Sequence, residues 1–303
     1  MWTVWPDPFL RTRKVPLVMS SVLRRGLVAM ALIGALALAA TACGKPTHTG
    51  SGTGMPGMSS DEPMPVGNGT QASMTGYTLV PSSTTLMANT ATTLVFHIAG
   101  PDNKAVTTFE PDQTKLMHFY LIRSDLSGYE HVHPTMAGDG TWTADLAALT
   151  PGTYRAYTSF TAPDAMGKPI AMVLSVPVTV PGTATNTPVP AANPTTTVDG
   201  YTLTLSGEAM SGMSHTMTLH VTQNGQPVTD LQPYLDTYAH LSAFHAGDLA
   251  LAHLHPSGAV NGDHGGPDLA FNAEFSESGT WRVYVQFQTG GTPHTAAFTV
   301  TAG

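Results

Sequence analysis

Cysteine is nearly missing from this 303-residue chain, Cys43 being the only one. One cysteine excludes an internal disulfide framework, so the folded parts must be stabilised by packing alone. Positive charge is scarce too. Five of the 12 Lys and Arg residues precede Cys43, which leaves 7 basic against 19 acidic residues after it and a formal charge of −12 there. Such a chain does not bind nucleic acid by neutralising phosphates, and it attracts cations instead. Beyond Cys43 there is no sustained helical periodicity; only Leu231 to Tyr238 has the pattern of a short helical turn. Also absent are a Gly-x-Ser-x-Gly elbow, a His-Glu-x-x-His helix, a phosphate loop and paired carboxylates, so the expectation is that the protein is not an enzyme.

One long apolar run is present, from Gly26 to Ala40. It follows Arg24 and Arg25 and closes on Ala40-Thr41-Ala42 before Cys43-Gly44. The run is short for a spanning helix and reads as a signal peptide covering 1–42, with Met19 as the expected functional start. Cys43 sits where bacterial lipoprotein signals place the cysteine that becomes lipidated; a plain secretory signal with an incidental cysteine is the alternative. Acyl chains contribute about 0.8 kcal/mol per buried methylene, so lipid on Cys43 would hold the protein to the extracytoplasmic face of the cell membrane.

After Cys43 the composition divides the chain. Residues 43–75 are rich in Met, Gly and Pro and read as a flexible tether; residues 181–197 are rich in Pro and Thr and read as a semi-extended linker. The blocks between and after them, 76–180 and 198–303, are copies of one another. Gly76-Tyr77-Thr78-Leu79 matches Gly200-Tyr201-Thr202-Leu203, and Gly152-Thr153-Tyr154-Arg155 matches Gly279-Thr280-Trp281-Arg282. Between these, both copies read H-x12-H-x-H-P: His118, His131, His133 and Pro134 in the first, His240, His253, His255 and Pro256 in the second. The second copy carries a longer loop around Asn261 to Gly266. Short alternating or apolar runs bounded by Gly, Pro, Asp and Asn predict an all-β fold: two tandem immunoglobulin-like β-sandwiches of roughly seven strands each. The aromatics Tyr154, Tyr157, Trp281 and Tyr284 are expected on a late strand, packed across the two sheets.

All 13 histidines follow the signal region. Residues 117–123 and 129–133 should form a hairpin turning near 124–128. Residues facing each other in an antiparallel pair have a constant index sum and share a face, so a sum of 249 sets His118 opposite His131 and a sum of 251 sets it opposite His133. Either register gathers three imidazoles on one side, and the same holds for His240, His253 and His255. Three neutral imidazoles suit copper or zinc. A hydrogen-bonded corner, with the rings donating to main-chain oxygens, is the structural alternative. His97 and His220 alternate with apolar neighbours and should face solvent. Met210, Met213, His215 and Met217 lie within eight residues, a thioether-rich set of the kind that selects Cu(I); core packing of Met217 with the others as filler is equally consistent.

The phrases MHFYLIRSDLSGYEHVHP, GTYRAYTSF and GPDLAFNAEF…GTWRVYVQF resemble bacterial secreted and lipid-anchored proteins with tandem domains akin to the YtkA-like and CopC-like β-sandwiches, from Gly76 to the C-terminus. The resemblance implies an extracytoplasmic, copper-related role, with other extracytoplasmic copper proteins as partners. The chain lacks the histidine that CopC-like proteins carry at the mature N-terminus, so their ligands do not transfer. The expected function is a copper-binding lipoprotein that buffers or delivers the ion, Cu(II) at the His triads and Cu(I) at the Met cluster, releasing it as pH falls through the imidazole range near 6. The alternative is a cell-surface interaction module that binds protein or glycan.

Overall fold

A computed structural model describes residues 65–262 and 264–303, without the side chains of His253 and His255. The signal region, Cys43 and most of the tether lie outside the described residues. What is described is all-β, with no helix. Repeat 1 holds β1 (Ser73–Met74), β2 (Tyr77–Pro81), β3 (Thr92–Ala99), β4 (His118–Arg123), β5 (Glu130–Val132), β6 (Thr135–Met136), β7 (Trp142–Leu146), β8 (Gly152–Pro163) and β9 (Pro169–Val180). Repeat 2 holds β10 (Thr195–Val198), β11 (Tyr201–Ser206), β12 (Ser214–Gln223), β13 (Gln226–Pro227), β14 (Ala239–His245), β15 (Leu251–Pro256), β16 (Asp268–Glu274), β17 (Gly279–Thr289) and β18 (Thr292–Ala302).

In repeat 1 the sheet β1-β2-β3-β7-β6 faces the sheet β5-β4-β8-β9, the two-sheet arrangement of an immunoglobulin-like sandwich. The chain crosses between the sheets at His133-Pro134, where proline cannot donate to a ladder and pairing lapses. In repeat 2 the equivalent strand β15 runs on through Pro256 and pairs with both β14 and β16, joining the two halves into one continuous sheet.

Each repeat has its own core. In repeat 1 it holds Phe96, Phe119, Trp142 and Phe160; in repeat 2, Phe271, Phe275, Trp281 and Phe287. Tyr154 donates its hydroxyl to the carbonyl of Thr150, and Trp281 donates its indole N–H to that of Glu277, both four residues back, so each copy pins the start of its late strand in one way.

A third apolar cluster lies between the repeats, with Tyr120, Ile122, Leu126 and Tyr157 from one and Phe244, Leu251 and Tyr284 from the other. This explains why all six residues of β4 are buried: Phe119 and Leu121 face the core of repeat 1, whereas His118, Tyr120 and Ile122 face repeat 2. It also corrects the expectation for the late-strand aromatics. Three residues on from Tyr154 and Trp281, Tyr157 and Tyr284 emerge on the opposite face and pack between repeats. The contacts are reciprocal: Tyr157 donates to the carbonyl of Leu249, and Tyr284 to that of Leu126 at 2.6 Å. Both leucines sit at positive φ in the hairpin turn of their repeat, which aims the carbonyl outward at the partner.

Three expectations are corrected. The last residues of the tether pair rather than float: Val66 bridges Met172, β1 pairs β2, and the Asn68 carbonyl accepts from Leu251 N of the other repeat. The end of the linker becomes β10, paired with β11, because its Thr residues suit a strand edge. Residues 231–238 form bridges and a turn with Leu235 and Asp236 at positive φ, not a helical turn.

Candidate functional site

The hairpin of β4 and β5 has index sum 251, with Phe119 opposite Val132 and Tyr120 opposite His131. Strand parity therefore puts His118, Tyr120, His131 and His133 on the face toward repeat 2 and Val132 on the face toward the core. The sum for β14 and β15 is 495, with Leu241 opposite Leu254 and Ser242 opposite His253, the same register in the second copy.

His118, His131 and His133 each offer one ring nitrogen, and these lie within 4.8 Å of one another. His118 Nδ1 is 3.1 Å from His131 Nε2. Ring centroids of His133 are 5.0 Å from His118 and 4.8 Å from His131, and its Nε2 is buried with no hydrogen-bond partner. His240 lies against the first triad, with its ring 5.4 Å from His118 and 4.7 Å from His131, and the Tyr120 hydroxyl 3.2 Å from its Nε2. The side chains of His253 and His255 are outside those described. A cavity of about 20 Å³, room for one water-sized occupant, lies beside the cluster between Asp112, His118, Tyr120, Ser159, His240 and Ser242.

The outer nitrogens of the pair face acceptors. His118 Nε2 is 3.1 Å from the Asp112 carbonyl, and His131 Nδ1 is 2.6 Å from Gln286 Oε1, an amide whose nitrogen faces Thr295 Oγ1 at 3.5 Å. A carbonyl only accepts, so in this arrangement each neutral ring carries its hydrogen on the outside. Two lone pairs then face each other across 3.1 Å. A shared proton, a cation, or a Gln286 amide turned to donate its nitrogen to His131 resolves that. Burial opposes the proton: it lowers the pKa of His118, drives that of His131 well below the usual range, with the neighbouring His118 adding to it, and pushes His133 down to about 4. Two imidazole nitrogens 3.1 Å apart have the spacing of ligands sharing one ion at about 2.0–2.1 Å. Outer N–H groups held by carbonyl oxygens are also how ligating histidines are oriented.

Sequence reasoning missed Asp112, Tyr120, His240 as a neighbour of the first triad, and Gln286. Their approach depends on how the repeats dock, which no local pattern encodes. Met217 is buried in the core of repeat 2, Met213 is exposed, and Met210 is half-buried. His215, on the same face of β12 as Met217, has its Nε2 buried without a partner. His220 pairs with exposed Asp268 at 2.6 Å, and His97 is half-buried.

No curated protein matches the chain in sequence. Solved structures similar to it include the adhesin InvE of Yersinia pseudotuberculosis, at 13% identity over 76% of this chain and 60% of that one, TM-score 0.23. The Escherichia coli adhesin FdeC is 15% identical over 75% of this chain and 64% of that one, TM-score 0.24. Domains 4 and 5 of the S-layer protein SbsC are 13% identical over 77% of this chain and 98% of that one, TM-score 0.23. The chain thus spans less than two thirds of either adhesin, and likeness at these scores carries no inference about activity or partner. A family model matches residues 72–177 and again 196–303, so the chain belongs to the family described as a domain of unknown function (DUF8832), of which it holds two copies.

Proposed function

We propose that this protein is an extracytoplasmic metal-binding protein, tethered to the membrane through Cys43, that holds one transition-metal ion between its repeats, with copper the expected ion and zinc the alternative. His118, His131 and His133 would be the ligands, with His240 meeting them from the second repeat. The observation that carries this reading is the pair of inward-facing imidazole nitrogens 3.1 Å apart, whose outer nitrogens face carbonyl oxygens. Neutral imidazoles suit Cu(II) and Zn(II). The mature chain's formal charge of −12 draws cations toward it, and the resemblance to YtkA-like and CopC-like sandwiches agrees. One site at a seam fits buffering or handing on an ion, because an opening of the seam would expose it.

A second reading is favoured by the same hydrogen bonds: a run from the Asp112 carbonyl through His118 and His131 to Gln286 could serve as a structural latch in a cell-surface interaction module. Copper titration separates the two. The metal reading expects one tightly held ion at the seam, lost in His131→Ala; the latch reading expects no ion there and a change in stability alone.

A further inference from the structure

Duplication allows each corner of one repeat to be compared with its counterpart. In repeat 1, Arg123 ends β4 and pairs with Asp125 at 3.0 Å, both side chains buried. A Cβ at Gly152, at positive φ, would collide with the Arg123 guanidinium, so this glycine makes room for it. The hairpin turn places Asp125 just before Leu126, whose carbonyl receives Tyr284. Thr150, four residues before Tyr154, stands at the rim.

Repeat 2 keeps this frame and changes its charge. His245 ends β14 where Arg123 ends β4, and Gly279, again at positive φ, leaves room for the ring as Gly152 does for the guanidinium. Asp248 precedes Leu249, whose carbonyl receives Tyr157. Glu277 stands where Thr150 stood, four residues before Trp281. His245 Nδ1 lies 2.9 Å from Asp248 Oδ1 and 4.0 Å from Glu277 Oε2, and one donor atom from each of the three lies within 4.8 Å of the others. The imidazole is nearly buried, packed on Trp281 at 5.0 Å between ring centroids, while the two carboxylates are 39% and 51% exposed. A guanidinium with one carboxylate has thus become an imidazole with two. The corner has exchanged its guanidinium for an imidazole and gained a second carboxylate on the same side.

We infer that His245, Asp248 and Glu277 form a second metal site, separate from the seam, for a divalent cation of the zinc or manganese type. One imidazole and two carboxylates are donors for such ions, and the exposed side leaves room for water to complete the coordination. The ion would stand at the place that the Arg123 guanidinium takes in repeat 1 and would fix the Asp248-Leu249 turn against Tyr157.

The test is zinc uptake by equilibrium dialysis at pH 7.5, with thermal unfolding read in parallel. The double variant His245→Arg with Glu277→Thr rebuilds the repeat 1 corner, so it should fold and lose one zinc equivalent. The single variant Glu277→Gln alters a half-exposed side chain and should weaken zinc binding at least tenfold without loss of fold. Zinc should raise the melting temperature of the wild type more than that of either variant. His133→Ala should keep the corner ion, and the double variant should keep the seam ion, so failure of one site is distinguishable from failure of the other. Equal zinc stoichiometry in the wild type and the double variant, or no effect of Glu277→Gln on affinity, would overturn the inference.

Discussion

At the scale of single residues, protonation and coordination compete for the same imidazole nitrogens. Copper release was expected near pH 6 from ordinary histidine. Burial moves the window down, since it holds His133 to about 4 and His131 well below the usual imidazole range. Copper should therefore stay bound at pH 5 and leave as pH approaches 4, which dialysis across that range will show. Metal-free protein should follow the same groups. A histidine whose folded pKa is depressed takes up protons preferentially when unfolded, so its stabilising contribution is complete above about 6.5 and falls away as pH drops toward 4. His133→Asn should flatten the fall in melting temperature over that interval. Convergence of His118, His131 and His133 was legible in the sequence, because residues two apart share a strand face and an index sum of either 249 or 251 brings His118 beside them. The 3.1 Å approach, the role of Gln286 and the arrival of His240 were not, since each depends on side-chain rotamers or on the second repeat.

At the scale of strands and turns, the reciprocal tyrosines provide the sharpest expectation. Tyr157→Phe and Tyr284→Phe each remove one hydrogen bond between a ring and the opposite hairpin turn while preserving shape. Each should lower stability by about 0.5–1.5 kcal/mol by chemical denaturation, and amide exchange should quicken in the facing turn, near Leu249 for the first and near Leu126 for the second. Loss of protection spread evenly over both repeats would contradict this. The strands were legible because turn residues bracket them. The near-continuous apolar run of β4 also announced burial on both faces, though not what covered the second one. The passage at His133-Pro134 could not be foreseen, since the same His-x-His-Pro text splits a strand in repeat 1 and continues one in repeat 2.

For the molecule as a whole, the sequence reads as two beads on a linker, and the structure shows two repeats sharing a core. Phe244 is fully buried against Tyr120, Tyr129, Tyr157 and Tyr284, so it belongs to both. Repeats coupled this way should unfold in one calorimetric transition. Phe244→Ala, with a cost of about 3–5 kcal/mol, should resolve it into two, whereas two transitions in the wild type would mean that the shared core does not couple them. Duplication was plain from the matched phrases. The docking was hidden, because the residues that create it, Tyr157 and Tyr284 among them, look like ordinary core aromatics until strand parity turns them outward. The seam is what brings imidazoles from both repeats together, so the proposed function depends on it. The most direct measurement is Cu(II) titration of the chain beginning at Gly44, followed by electron paramagnetic resonance: one tightly held copper with nitrogen couplings, absent in His131→Ala, is the expected result, and a signal free of nitrogen coupling or unchanged by that substitution would contradict it.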